Sequence, residues 1–179
     1  MTKKIYYGIA ASVLIIGLTF ALISYGQQQQ KPDTSMTQQH MDEMNKRGDK
    51  AMGFDHLKTT HHFLLASDGG TIQVEANDPN DKLSRDQIRM HMHHISMMFG
   101  DGNFEIPMLV HSETPPGAAV MSKLKSEINF QYKETPRGAL VRISTSNAEA
   151  LQAVQDFLRY QIKEHMTGDP LEVIVKQKQ

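Results

Sequence analysis

The sequence predicts an α+β domain in which an antiparallel or mixed sheet of about five strands carries two main helices on one face. Hairpins are predicted over 59–76 and 127–145, and their alternating apolar and polar residues indicate a sheet covered on one side. Two longer segments, 84–99 and 147–166, have apolar residues at helical spacing. The predicted order of elements is β-β-α-β-β-β-α.

The composition limits the classes of function. A chain of 179 residues is typical of one domain with a targeting segment. A net charge of -1 argues against a nucleic-acid partner. Cysteine is absent, which excludes disulfides, cysteine-ligated zinc, iron–sulfur clusters and lipid attachment at a cysteine. The distinctive residues are 12 Met and 9 His, and both types cluster along the chain.

The N-terminal segment predicts membrane attachment. Residues 5–26 are uncharged and reach about 30 Å as a helix, enough to cross a bilayer. Lys3 and Lys4 place residues 1–4 in the cytoplasm and the rest on the periplasmic or extracellular side. The segment is predicted to be a single-pass signal-anchor in the inner or cytoplasmic membrane, although a cleaved signal peptide stays open.

A polar stretch over 27–52 follows, and we expect a flexible tether because it has too few large apolar residues to fold alone. A short helix interrupted at Gly48 is compatible with the second half. Its methionines and histidine resemble the sparse arms of copper-handling proteins, which makes four tether residues candidate metal ligands: Met36, His40, Met41 and Met44. The folded domain is predicted over 53–175, with a tail at 176–179.

The first predicted elements are a hairpin and a helix. The strand TTHHFLLA (59–66) and the strand 71–76 are joined by a turn at Asp68-Gly69-Gly70. Ser84 and Gln87 form a predicted capping box for the helix that runs to Phe99. Its apolar stripe should face the core and comprises Ile88, Met92, Ile95 and Phe99.

The second half is predicted to begin with a strand, EIPMLVH (105–111), ended by TPPG (114–117). A short helix is expected near 118–125, and the second hairpin turns around 135–138. Ser146 and Glu149 form a predicted capping box for the last long helix. The apolar stripe of that helix comprises Leu151, Val154, Leu158 and Ile162.

The densest group of possible metal ligands lies in the first long helix, in the segment RMHMHHISMMFG. His91, His94 and Met98 lie on one flank at i, i+3 and i+7, so their tips can converge on one ion. Imidazole together with thioether favours copper, especially Cu(I), in a protein without cysteine. The alternative is that the methionines pack the core and the histidines are solvated.

The first strand adds two candidates. His61 and His62 are adjacent, so one faces the helices and the other faces away. His111, at the end of the predicted third strand, is a further candidate for the same site. His56 and His165 are given no role in it. Bound metal should be lost as the pH falls through about 6.5, the ordinary pKa of histidine.

These features favour a membrane-tethered, extracytoplasmic protein that binds or transfers copper, with a metal ion and an exported protein as partners. A small interaction or sensor module with structural His and Met residues is the first alternative. A metal-dependent enzyme that uses His61 or His62 with His91 and His94 is the second. The sequence has no GxSxG, P-loop, GxGxxG or HExxH motif, so enzymatic activity stays undecided.

Residues 51–173 resemble a group of small exported bacterial proteins of unassigned activity. The resemblance is carried by AMGFDHLKTTHHFLL, SRDQIRMHMHHI, TPPG and FLRYQIKEHMTGDPLEV. It implies export and an association with heavy-metal resistance. Some members are labelled aspartate carbamoyltransferase, but this chain is too short for the two domains of such an enzyme and has no phosphate-cradling segment.

Overall fold

The computed structural model of the protein describes residues 34–173, with side chains described from residue 38 onward. The predicted membrane segment at 5–26, the first part of the tether at 27–33, the Met36 side chain and the tail at 176–179 lie outside the described residues.

Four antiparallel strands form one sheet, in the order β1-β2-β4-β3. The strands are β1 (Thr59–Ala66), β2 (Gly69–Ala76), β3 (Ile128–Thr135) and β4 (Gly138–Thr145). Both hairpins lie where the sequence places them, and the α+β class is confirmed with four strands instead of about five. Successive side chains of a strand point to opposite faces, so the sheet has one buried face. The residues of that face are Phe63, Leu65, Ile72, Val74, Ala139, Val141 and Ile143.

Five α-helices accompany the sheet: α1 (Thr34–Met52), α2 (Lys82–Gly100), α3 (Glu105–His111), α4 (Ala118–Lys123) and α5 (Ala148–Glu164). Short 3-10 helices at His56–Lys58 and Lys125–Glu127 precede the two hairpins. The long helices α2 and α5 cover the buried face of the sheet. Their predicted stripes are buried at Ile88, Met92, Ile95, Phe99, Val154, Leu158 and Ile162, whereas Leu151 is half-buried.

The caps of the long helices differ by a few residues from the prediction. Asp81 begins α2 by accepting a hydrogen bond from the Ser84 backbone N–H at 3.0 Å. Asn147 begins α5, and its side chain accepts from the backbone of Glu149 and Ala150. Each short polar side chain therefore satisfies free N–H groups of the first turn, which are otherwise unpaired.

The segment 105–111 is helix α3 and not the predicted strand. Its buried residues are Pro107, Val110 and His111, a spacing that fits a helix and not the alternation of a strand. Proline is tolerated there because it occupies the first turn, where no N–H is needed for the helix. This correction accounts for the missing fifth strand and places His111 at a helix end.

The segment 34–52 is a continuous helix, whereas a flexible tether was expected up to residue 52. Met44 is fully buried, and Gly48 lies inside the helix without interrupting it. The Arg47 Nε donates to the carbonyl of Val110 at 2.8 Å, which joins α1 to α3. The described domain thus includes α1, because the helix buries apolar surface against the domain that it cannot bury alone.

The two hairpins are structural counterparts. β3 and β4 begin 69 residues after β1 and β2 (128 against 59, and 138 against 69), and the preceding 3-10 helices keep the same offset (125 against 56). The helices are exchanged: α2 packs mainly against β3 and β4, and α5 mainly against β1 and β2. The histidine is not repeated in the second hairpin, because the counterpart of His61 in β3 is Phe130.

Candidate functional site

A cavity of about 70 Å³ lies between the buried face of the sheet and the helices. Its walls are largely apolar, and they include no carboxylate. Seven side chains with nitrogen, oxygen or sulfur atoms line it: Met52, His61, His91, Met92, His111, Gln161 and His165.

Five different elements supply these side chains. His61 points inward because it alternates with the buried Phe63 on β1. His91 lies beside the buried Met92 of α2, at the edge of the core stripe. Since the remaining side chains come from α1, α3 and α5, the folded domain as a whole assembles the cluster.

The rings contact one another directly. His61 and His165 are stacked, with centroids 5.7 Å apart and planes inclined by 7°. His111 meets His165 edge to face at 5.1 Å. On the far side of the cluster, Phe54 packs against His61 at 6.0 Å and against His91 at 5.5 Å. Three imidazoles, those of His61, His165 and His111, therefore form a continuous group, and Phe54 lies between this group and His91.

Two buried polar atoms in this group have no hydrogen-bond partner. His111 and Gln161 are each 4% exposed, and His111 Nε2 lies 3.0 Å from Gln161 Oε1. His111 Nδ1 and Gln161 Nε2 are buried without a partner. With the amide oriented in this way, the proton of His111 is on Nε2, and Nδ1 keeps a free lone pair. Unpaired buried polar atoms are uncommon in folded proteins, so both atoms are available to a water molecule or to an ion.

Burial keeps the cluster uncharged. It lowers the pKa of His61 to about 4, with further contributions from His62 and His56. It likewise lowers the pKa of His91 to about 4 and that of His165 to about 3, and neighbouring histidines add to both shifts. Burial also lowers the pKa of His111, against the raising effect of Gln161 and nearby carboxylates. Neutral imidazole is the form that binds metal.

The C-terminal ends of three helices supply side chains to the cavity lining. Met52 is the last residue of α1, His111 is the last residue of α3, and His165 is the C-cap of α5.

The structure brings together three of the six predicted core ligands: His61, His91 and His111. His62 lies on the opposite face of β1, where its Nδ1 is 3.0 Å from Asp169 Oδ1. His94 is exposed on the outer side of α2, because it is three residues beyond His91 and no longer borders the core stripe. Met98 is half-buried and packs against the core instead of lining the cavity.

The tether candidates do not line this cavity. His40 is exposed and pairs with Glu164 at 3.1 Å. Met41 and Met44 line a second chamber next to the cavity. All three belong to α1, and only the Met36 side chain lies outside the description.

His165, Gln161 and Met52 were missed as ligands. A signal for His165 exists, because Leu158, Ile162 and His165 follow one another at i, i+4 and i+7 and so continue the apolar stripe of α5. Met52 gave no such signal, since its position depends on how α1 packs against the domain.

The cavity histidines do not form a ready-made three-histidine site. Among the described residues, the three metal-binding groups whose ligand atoms all lie within 4.8 Å of one another are Asp49, Asp55 and His56. Those groups already have structural partners: Asp49 accepts from His56, and Asp55 accepts from the Leu57 N–H at 2.9 Å. They join α1 to the first 3-10 helix.

Comparison of the chain with protein-family models, curated proteins and solved structures finds no match. Within residues 34–173, no helix has the length and apolar character needed to span a membrane.

Proposed function

We propose that the protein is a membrane-tethered, extracytoplasmic Cu(I)-binding protein that holds one ion tightly in the histidine cavity. The observation that carries the proposal is that four neutral imidazoles and two thioethers, those of Met52 and Met92, line one apolar cavity without carboxylates. Imidazole and thioether are both ligands of Cu(I), and the unpaired Nδ1 of His111 is a free donor atom.

The ligand geometry favours Cu(I) over zinc. A tetrahedral zinc site with Zn–N distances of about 2.0 Å places its ligand atoms roughly 3.3 Å apart. Among the described residues, no three cavity histidines have nitrogen atoms within even 4.8 Å of one another. Cu(I) does not need three histidines, since two imidazoles, alone or with one thioether, complete its coordination. A monovalent ion also costs less to desolvate in an apolar cavity than a divalent ion.

Copper binding by the full-length protein tests this proposal. The protein should hold one Cu(I) ion that resists a competing chelator, and X-ray absorption should detect nitrogen ligands from imidazole. The variant His91→Leu/His111→Leu, which keeps the cavity filled with apolar side chains, should lose that ion. If the variant holds Cu(I) as tightly as the wild type does, the ion lies elsewhere and the proposal fails.

A metal-dependent enzyme is the second candidate, and the size of the cavity favours it. A water molecule needs about 10–15 Å³ of such space, so about 70 Å³ leaves room for a small ligand beside the ion. Catalytic sites keep one coordination position open. Carbon monoxide added to the Cu(I) protein separates the two functions: an infrared band of bound carbon monoxide supports the enzyme, and its absence supports storage or transfer.

A further inference from the structure

A second chamber, of about 340 Å³, adjoins the histidine cavity. The two share four lining residues: Met52, His61, Val110 and His165. The stacked rings of His61 and His165 therefore stand between the chambers together with the Met52 side chain. An ion that enters the inner cavity from the second chamber passes these side chains.

Thioethers and imidazoles are the soft and borderline donor groups of this outer chamber, whose histidines are His56, His61 and His165. Four methionines line it, namely Met41, Met44, Met52 and Met166, and no carboxylate does. Three come from α1, where Met41 and Met44 are one turn apart and lie on the same side of the helix. The fourth, Met166, follows the C-cap residue of α5.

Two details of the backbone place these thioethers. Gly48 leaves space for the Met52 side chain, since a Cβ at this position would lie 3.1 Å from the Met52 Cε. Met166 has a φ of 47°, a left-handed conformation that is uncommon for residues other than glycine. Its side chain is 63% exposed, which leaves a thioether at the solvent side of the chamber.

We propose that the outer chamber is a capture site for Cu(I), in which Met41, Met44 and Met166 bind the ion and pass it to His61 and His165. The inference rests on the proposed function of the inner cavity. Thioether is a soft ligand that does not titrate, and flexible methionine side chains adapt to an ion in transit. Each transfer step replaces one neutral ligand by another, so the ion stays Cu(I) and no proton or electron is released.

The rate of copper loading tests the capture site. Full-length protein is mixed anaerobically with Cu(I) held by a colorimetric chelator, and the transfer is followed by stopped-flow absorbance. Met41→Leu/Met166→Leu keeps the side-chain volume but removes two thioethers. It should load roughly 10-fold more slowly, while the equilibrium affinity of the inner site stays within about 2-fold of wild type.

Met90→Leu/Met97→Leu is the matched control, because both methionines are exposed on α2, away from the chamber, at 70% and 50%. It should load at the wild-type rate. The capture site is overturned if Met41→Leu/Met166→Leu also loads at that rate.

The variant that lacks His91 and His111 separates this inference from the proposed function. His91→Leu/His111→Leu should still bind Cu(I) weakly, with sulfur ligands in its X-ray absorption spectrum. Sulfur coordination in this variant, combined with a wild type that has no tight nitrogen-ligated ion, supports the capture site and refutes the inner site. If the wild type binds one ion tightly but the variant shows no sulfur coordination, the inner site is supported and the capture site is refuted.

Discussion

His91 and His94 are one helical turn apart on α2, yet they belong to different regions of the molecule. His91 borders the buried stripe and lines a cavity with three other imidazoles. His94 is exposed, as are Met90 and Met97 on the same outward face. The dense His/Met segment is therefore divided by the helix into an inner and an outer group. Clustering along the chain does not make a metal site unless the side chains share a face that the fold encloses.

The largest difference between the two regions is expected in stability. Leu158 is fully buried against the sheet, and Leu158→Ala should lower the free energy of unfolding by about 2–5 kcal/mol. Met90 is 70% exposed, and Met90→Ala should change the free energy of unfolding by less than about 0.5 kcal/mol. Denaturant titration of the full-length protein measures both values. Equal losses would mean that the inner and outer faces are misassigned.

The next largest effect is expected in copper binding. His91→Leu should weaken Cu(I) binding by at least about 100-fold, the upper end of what loss of a supporting group costs a metal site. His94→Leu should leave it within about 2-fold of wild type. Competition with a Cu(I) chelator measures both affinities. This differs from the expectation from sequence, in which His91 and His94 bind the ion together from one flank of the helix.

The buried pair of His111 and Gln161 should behave as a coupled unit. Gln161→Leu leaves His111 Nε2 without a partner and should cost about 1–3 kcal/mol of stability. His111→Leu/Gln161→Leu removes both polar groups and should recover most of that loss. Thermal unfolding of the metal-free protein tests the coupling. A double variant no more stable than Gln161→Leu would indicate that packing, and not the unpaired nitrogen, sets the cost.

The inner histidines should also make the metal-free protein sensitive to acid. The unfolded chain protonates them near pH 6.5, whereas the folded pKa values of His61 and His91 are lowered to about 4. Stability should therefore be unaffected above about pH 6.5 and fall as the pH drops to about 4, by up to about 1.4 kcal/mol per pH unit for each histidine.

Unfolding of variants at several pH values assigns this sensitivity. His91→Leu should flatten the pH dependence between pH 6.5 and 4, and His94→Leu should not. The same lowered pKa values change an expectation drawn from sequence, since protons should displace the ion near pH 4 and not near pH 6.5. If His94→Leu reduces the pH dependence of stability as much as His91→Leu does, the acid sensitivity comes from surface histidines and not from the cavity.

The sequence predicts the sheet and the long helices because their signals are local. Apolar and polar residues alternate in 59–76 and 127–145, which specifies the strands and their buried face. The apolar stripes that include Ile88 in one helix and Leu158 in the other specify the long helices in the same way. The segment 105–111 was misread because seven mostly apolar residues fit either a strand or a helix turn. Only the folded protein shows that Pro107, Val110 and His111 are its buried residues, which is the spacing of a helix.

The site was predicted in part. His61, His91 and His111 were expected among its ligands, since each lies at a position where an inward side chain was possible. Met52 was not, because it reaches the cavity through the packing of α1, which no pattern within that helix determines, and His165 was not, although it continues the apolar stripe of α5. Conversely, His62 and His94 are adjacent in sequence to true lining segments but point away from the cavity.

Copper titration of the His165→Leu variant tests the central claim most directly. His165 contacts both His61 and His111 and separates the two chambers, but sequence alone assigns it no role. The full-length wild type and His94→Leu should each hold one Cu(I) ion against a competing chelator, whereas His165→Leu should hold none under the same conditions. Tight binding of one ion by all three proteins, or by none of them, would contradict the account.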